Sequence, residues 1–136
     1  LVFYALQGPV VHELTHLLID YQAVTAYPPW FSEGMAQYWE MRLRGYVWLE
    51  GGHDWRAQPH SLSQLSRDFF TLPEAIAYQE SLSLVTFLYE RLGDEGMEGL
   101  LQLLRQGKPF AAALQDVYGE PLSVLEIDWK AWLISN

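Results

Sequence analysis

No cysteine occurs in the 136 residues, which excludes a disulfide scaffold, a thiolate metal site and a cysteine nucleophile together. Basic side chains are few: 8 Lys and Arg against 17 Asp and Glu leave a net charge of −9 and a pI near 4.7. An acidic surface repels phosphate backbones, so nucleic acid is not an expected partner. Apolar runs are short. None approaches the roughly 18 residues needed to cross a bilayer, and Leu1–Leu6 and Leu82–Leu88 are core-sized. No basic segment followed by an apolar stretch opens the chain. It also does not begin with Met, so it reads as a piece of a longer protein or a processed form, with any targeting segment upstream. Strand-type alternation is nearly missing as well, which leaves a mainly α protein.

What is present suffices for one core. Half the residues are apolar and 15% are aromatic, with 6 Trp, which excludes a disordered or low-complexity chain. Residues 1–136 have the length of one domain. The breakers divide them into helices. Pro9 opens the first, with Val10, Val11, Leu14, Leu17, Leu18 and Tyr21 at helical spacing to about Val24. A second runs from about Trp30 to Arg44, stopped by Gly45. Residues 45–60 read as an irregular loop, with Tyr46–Leu49 a candidate short strand. Ser61 and Gln64 form a capping-box pattern ahead of a short helix to about Phe69. Pro73 opens a long helix closed by Gly93. Asp94 caps the next, which Gly107 ends. Pro109 to Tyr118 makes another, stopped by Gly119. Ser123 with Glu126 caps the last, ending near Ile134. The runs Leu100–Leu104 and Ala111–Leu114 read as core.

His12-Glu13-Leu14-Thr15-His16 is the strongest chemical signal. At about 3.6 residues per turn, positions four apart share one helix face, so two imidazoles can close on one ion. Glu13 projects beside that face, where it reaches a water rather than the ion. Neutral imidazoles suit Zn²⁺, whose catalytic sites use three protein ligands and leave a fourth position open. Glu33, 17 positions after His16 and in the first turn of the next helix, is the third candidate. Two prolines reverse the chain between the helices, and the small Gly34 and Ala36 allow a close approach. Each imidazole needs an acceptor for its other nitrogen. Gln37 and Glu40, on about the face of Glu33, and Asp20, one turn after His16, are the candidates. His53 and His60 read as loop histidines.

His12-Glu13-x-x-His16 followed by Trp30-x-x-Glu33-Gly34-x-Ala36 resembles the gluzincin branch of zinc metallopeptidases, in particular small peptidase MA-like domains related to the aminopeptidase N and thermolysin types. Ala77-Tyr78-Gln79-Glu80-Ser81, Leu88-Tyr89-Glu90-Arg91-Leu92-Gly93 and Tyr118-Gly119 with Trp129 and Trp132 extend the resemblance over most of the chain. It implies a zincin-like core with an active-site helix and a C-terminal helical bundle. It further implies Zn²⁺ on His12, His16 and Glu33, with Glu13 as general base in the hydrolysis of a peptide or protein substrate. The oxyanion needs a donor besides the metal. Tyr78 is the candidate because relatives carry a Tyr at the start of this helix; Tyr38, Tyr46 and His53 are weaker ones. Relatives also place a β-sheet ahead of the motif helix, and only about 11 residues precede His12 here. Phe3–Leu6 is either a remnant of that layer or the start of the helix. A partner or upstream segment is therefore expected to complete the cleft, and apolar patches are expected near the first helix.

Other chemistries fit less well. A di-iron bundle needs two E-x-x-H units, and Glu13-x-x-His16 supplies one. Deformylases share H-E-x-x-H but use a Cys ligand. An inactive metal-binding or interaction module on the same fold remains as the alternative, against which stands the intact Glu13.

Overall fold

The computed structural model describes residues 9–22, 26–45 and 54–136. Helices α1 (Pro9–Gln22) and α2 (Pro29–Arg44) are followed by a 3₁₀ turn (Asp54–Ala57), α3 (Leu62–Arg67) and a second 3₁₀ turn (Phe69–Thr71). Then come α4 (Glu74–Arg105), α5 (Phe110–Tyr118) and α6 (Leu122–Ser135). No strand occurs among the described residues. The expected mainly α architecture with a C-terminal helical bundle is observed. Phe3–Leu6, Tyr46–Leu49 and His53 lie outside the described residues.

The punctuation acts largely as its chemistry dictates. Pro29 starts α2, and Gly45 ends it in the left-handed region at φ 71°, its N–H bonding Met41 O. Ser61 and Gln64 form both bonds of the capping box at the start of α3. The long span α4 is two helices joined at a kink, where Gly93 takes φ 71°, ψ 176°. That conformation favours glycine, and it is where the sequence placed a helix end.

Two expected caps are not formed. The residue before α6 is Pro121, and the first N–H of the helix, Leu122 N, donates to Gln115 Oε1 at 3.1 Å rather than to Ser123. Pro121 fixes the entry into the helix itself, so Ser123 falls inside it. Glu126 instead accepts from Leu62 N at 2.6 Å, satisfying a free N–H at the start of α3. Asp94 does not cap the second part of α4: it takes both guanidinium nitrogens of Arg42, at 2.8 and 3.0 Å. The Arg42 pair is bidentate and charged on both sides, whereas a cap would bond only a neutral backbone N–H.

The core is aromatic and continuous. Trp30, Phe31, Phe87 and Trp129 are fully buried, with Leu65, Leu84, Leu88, Leu100, Leu114 and Leu125 around them. On α6 the buried residues are Leu125, Trp129 and Leu133, one helical stripe at spacing four. Helix α2 packs mainly on α4 and secondarily on α1, so residues on α2 face both. The α2–α4 contact is very close at Gly34, where an added Cβ would lie 2.4 Å from Ser81 O and 2.5 Å from Val85 Cγ2. The small residue therefore serves the approach of α2 to α4, not to α1 as its place beside Glu33 suggested.

The segment ahead of α3 is pinned to α4. Trp55 Nε1 donates to Gln79 Oε1 at 3.0 Å. The fully buried Glu80 accepts from His60 N at 2.6 Å and lies 2.8 Å from His60 Nδ1. His60 is thus the partner of a buried carboxylate.

Outside the core one apolar face of α1 is uncovered. Leu14, Leu17 and Leu18 are 39%, 62% and 59% exposed, as expected for the first helix. Leu14 and Leu18 line a groove of about 1020 Å³ with Val11, Met35, Trp39 and Leu101. No helix among the described residues is long and apolar enough to cross a membrane.

Candidate metal centre

Helices α1 and α2 bring three side chains together. One ligating atom each from His12, His16 and Glu33 lies within 4.8 Å of the other two, and these are the three residues read from the motif spacing. His12 Nε2 is 3.3 Å from Glu33 Oε2 and His16 Nε2 is 3.5 Å from Glu33 Oε1. The rings are 4.7 Å apart at 60°, so both Nε2 atoms converge on one carboxylate. The three residues are half-buried; Glu13, one position on from His12, is exposed.

The other ring nitrogens are held from behind. His12 Nδ1 lies 2.5 Å from Oε1 of the buried Glu40, and His16 Nδ1 lies 2.5 Å from Ser32 Oγ. Glu40 was expected in this role. Gln37 was also expected and serves elsewhere: its Nε2 donates to Tyr78 O at 2.8 Å and to Glu33 O at 3.4 Å. Asp20 is exposed, and the partner of His16 is Ser32, which sequence reasoning missed. The available signal was position: Ser32 immediately precedes Glu33 and faces the same helix.

These contacts decide what the centre can hold. An ionised Glu40 can only accept, so His12 Nδ1 carries the proton and its Nε2 turns a lone pair toward Glu33. Ser32 Oγ can accept from His16 Nδ1 in the same way. Glu33 Oε2 is buried and accepts no hydrogen bond. Lone pairs of two imidazoles and a carboxylate therefore face one another, an arrangement that calls for a cation between them. Two ligands on one tetrahedral zinc, each at about 2.0–2.2 Å, are roughly 3.3–3.5 Å apart. The two imidazole–carboxylate separations, one to each carboxylate oxygen, are of that size, and the set with one atom from each residue closes within 4.8 Å, so small side-chain adjustments bring the three onto such an ion.

The titration behaviour has the same origin. Burial pushes the Glu33 carboxyl up, but when protons take the place of a metal on the facing Nε2 atoms of His12 and His16, those atoms donate to it and their charge adds, which outweighs burial and holds it at about 2. Glu33 is thus an ionised carboxylate at neutral pH. His12 is raised, first by its hydrogen bond to Glu33, against the opposing effect of burial, and further by Glu40. Two carboxylates facing one ring favour a positive charge on it.

Tyr78 stands next to this group. Its carbonyl shares the Gln37 amide with that of Glu33, and its ring stacks on Phe69 at 5.7 Å and 24°. Burial, then the negative charges of Glu33 and Glu74, raises the Tyr78 hydroxyl above its ordinary range. It is therefore a neutral donor at neutral pH. Tyr38 lies flat on Tyr89 at 4.1 Å, in the cluster of Trp39 and Arg42. Tyr46 and His53 lie outside the described residues.

Two histidines and one glutamate meet between two adjacent helices, with the imidazoles oriented from behind, an arrangement that suits a metallopeptidase-like fold. The family model described as Peptidase MA superfamily matches residues 5–135, and the chain belongs to that superfamily. No curated protein and no solved structure matches it.

Proposed function

We propose that the protein is a zinc-dependent peptidase of the gluzincin type. The observation that carries this reading is the convergence of His12 Nε2 and His16 Nε2 on Glu33 at 3.3 and 3.5 Å. Their Nδ1 atoms are already engaged by Glu40 and Ser32. A zinc ion bound there supplies Lewis acidity, lowering the pKa of a water toward about 7 and polarising the substrate carbonyl.

The chain's own residues do the rest. Glu40 and Ser32 fix the imidazole orientations, which sets the direction of both Nε2 lone pairs. Glu13, exposed beside His12, takes a proton from the attacking water and returns it to the leaving amine. Tyr78, kept protonated by burial and by Glu33, donates to the developing oxyanion. The substrate is a peptide or protein. A partner or an upstream segment completes the cleft.

The test compares wild type with Glu13→Gln, each loaded with zinc, in cleavage of a mixed peptide library followed by mass spectrometry. Cleavage by wild type, lost in Glu13→Gln with zinc retained, supports the enzyme. Inertness of both zinc-loaded forms refutes it for this chain and favours a metal-binding module.

A further inference from the structure

We propose that Gln37 is a positioning residue for the peptidase reaction, one that ties the start of α4 to the helix of the carboxylate ligand and so sets where Tyr78 stands. This inference rests on the peptidase reading of the site, in which Tyr78 is the oxyanion donor. Gln37 lies on α2 one turn after Glu33 and is 8% exposed. Its Nε2 donates to Tyr78 O on α4 at 2.8 Å and, more weakly, to Glu33 O on its own helix at 3.4 Å. The amide therefore joins backbone to backbone. One carbonyl belongs to the residue that supplies the carboxylate, the other to the residue that supplies the hydroxyl.

The orientation of the amide is forced. Both carbonyls can only accept, so the nitrogen must face them and the oxygen turns away. Oε1 is buried there and accepts no hydrogen bond, an unfavourable place for a polar atom. The side chain is thus spent on the bridge rather than on satisfying its own groups.

A second contact works with it. Gly34 on α2 meets Ser81 on α4, where an added Cβ would fall 2.4 Å from Ser81 O. Gly34 and Gln37 are three residues apart on α2, as are Tyr78 and Ser81 on α4, so the helices are tied at two points about one turn apart. The steric contact sets how closely they approach, and the hydrogen bond resists rotation of α4 about its axis. A rotation by one residue would swing the Tyr78 side chain through about 100°. Its hydroxyl is raised by burial and then by the charge of Glu33, which places it in the field of the ligand carboxylate. Phe69 stacks on the ring at 5.7 Å. Gln37 holds the backbone from which the ring projects, and Phe69 steadies the ring.

The test is a double-mutant cycle in zinc-loaded protein, read as steady-state cleavage of a quenched-fluorescent peptide taken from the library sequences that wild type cuts. Gln37→Met keeps the length and bulk of the side chain without its donors. It should lower kcat about tenfold through misplacement of Tyr78, with KM within about twofold and zinc content unchanged. On a Tyr78→Phe background the same substitution should cost less than about twofold, because the hydroxyl it positions is already gone. Gln37→Glu, which sets a carboxylate against both carbonyls, should show the same pattern with a larger loss. An equal loss in both backgrounds would make Gln37 a structural tie only and overturn the proposal. Unchanged kcat in both Gln37 variants, loss of zinc from both, or a Tyr78→Phe enzyme as active as wild type also overturns it. A zinc-loaded wild type that cuts no peptide overturns the peptidase reading instead.

Discussion

A single methyl group added at position 34 is expected to loosen the contact that places Glu33. A Cβ built on Gly34 falls 2.4 Å from Ser81 O, 2.5 Å from Val85 Cγ2 and 2.9 Å from Ser81 C. Two of these atoms are backbone of α4, which no rotamer change can move. Restoring ordinary contact requires α2 and α4 to separate by about 1 Å. Overpacking of this kind costs about 1–3 kcal/mol, against which alanine's better helix propensity returns about 0.5–1 kcal/mol. Gly34→Ala should therefore lose about 1–2 kcal/mol, read as a lower urea midpoint at unchanged m value. Because Glu33 precedes the strained position, zinc affinity should fall about tenfold as well. Gly99→Ala is the matched control: it sits in the same bundle, and an added Cβ there meets nothing within 4 Å. It should gain about 0.5–1 kcal/mol. Equal stability of the two variants would refute the close-approach argument.

Further outcomes follow from particular contacts. Glu40→Gln should weaken zinc binding about 10–100-fold in a chelator competition, since it removes the carboxylate behind His12; unchanged affinity would show that Glu40 does not orient the ligand. Leu17→Lys with Leu18→Lys should lower binding of a hydrophobic dye while leaving the unfolding free energy within about 0.5 kcal/mol, because both side chains are already mostly exposed. A marked loss of stability would mean that this face is covered. Burial raises the Tyr89 hydroxyl to about 12, above the unfolded value of about 10. Its contribution to stability is then complete below pH 10 and lost as pH rises toward 12, because the unfolded chain ionises first. Urea midpoints across that window should decline more steeply in wild type than in Tyr89→Phe.

Much of the fold was legible because breakers with local chemistry set it: Pro29, Gly45, the Ser61–Gln64 box, Gly93 and Gly119 act where the sequence placed them. The misread caps differ in cause. Asp94 found a partner distant in sequence, Arg42, and a long-range bond is invisible to spacing; Ser123 lost its place to Pro121, a local signal that starts the helix earlier and leaves Glu126 free to bond Leu62 N. The three converging residues were legible because a four-residue helical spacing and a helix reversal are local facts. Ser32 behind His16 and the Gln37 bridge to Tyr78 were not, since they depend on how α2 is rotated between α1 and α4. Gly34 was recognised as a close-approach residue, but which helix approaches is tertiary information.

The central claim is that His12, His16 and Glu33 hold one zinc ion, and elemental mass spectrometry of the purified protein tests it most directly. The account expects close to one zinc per chain in wild type, the same in Glu13→Gln, and none in His16→Ala. Wild-type protein that carries no zinc even after incubation with the ion would contradict it.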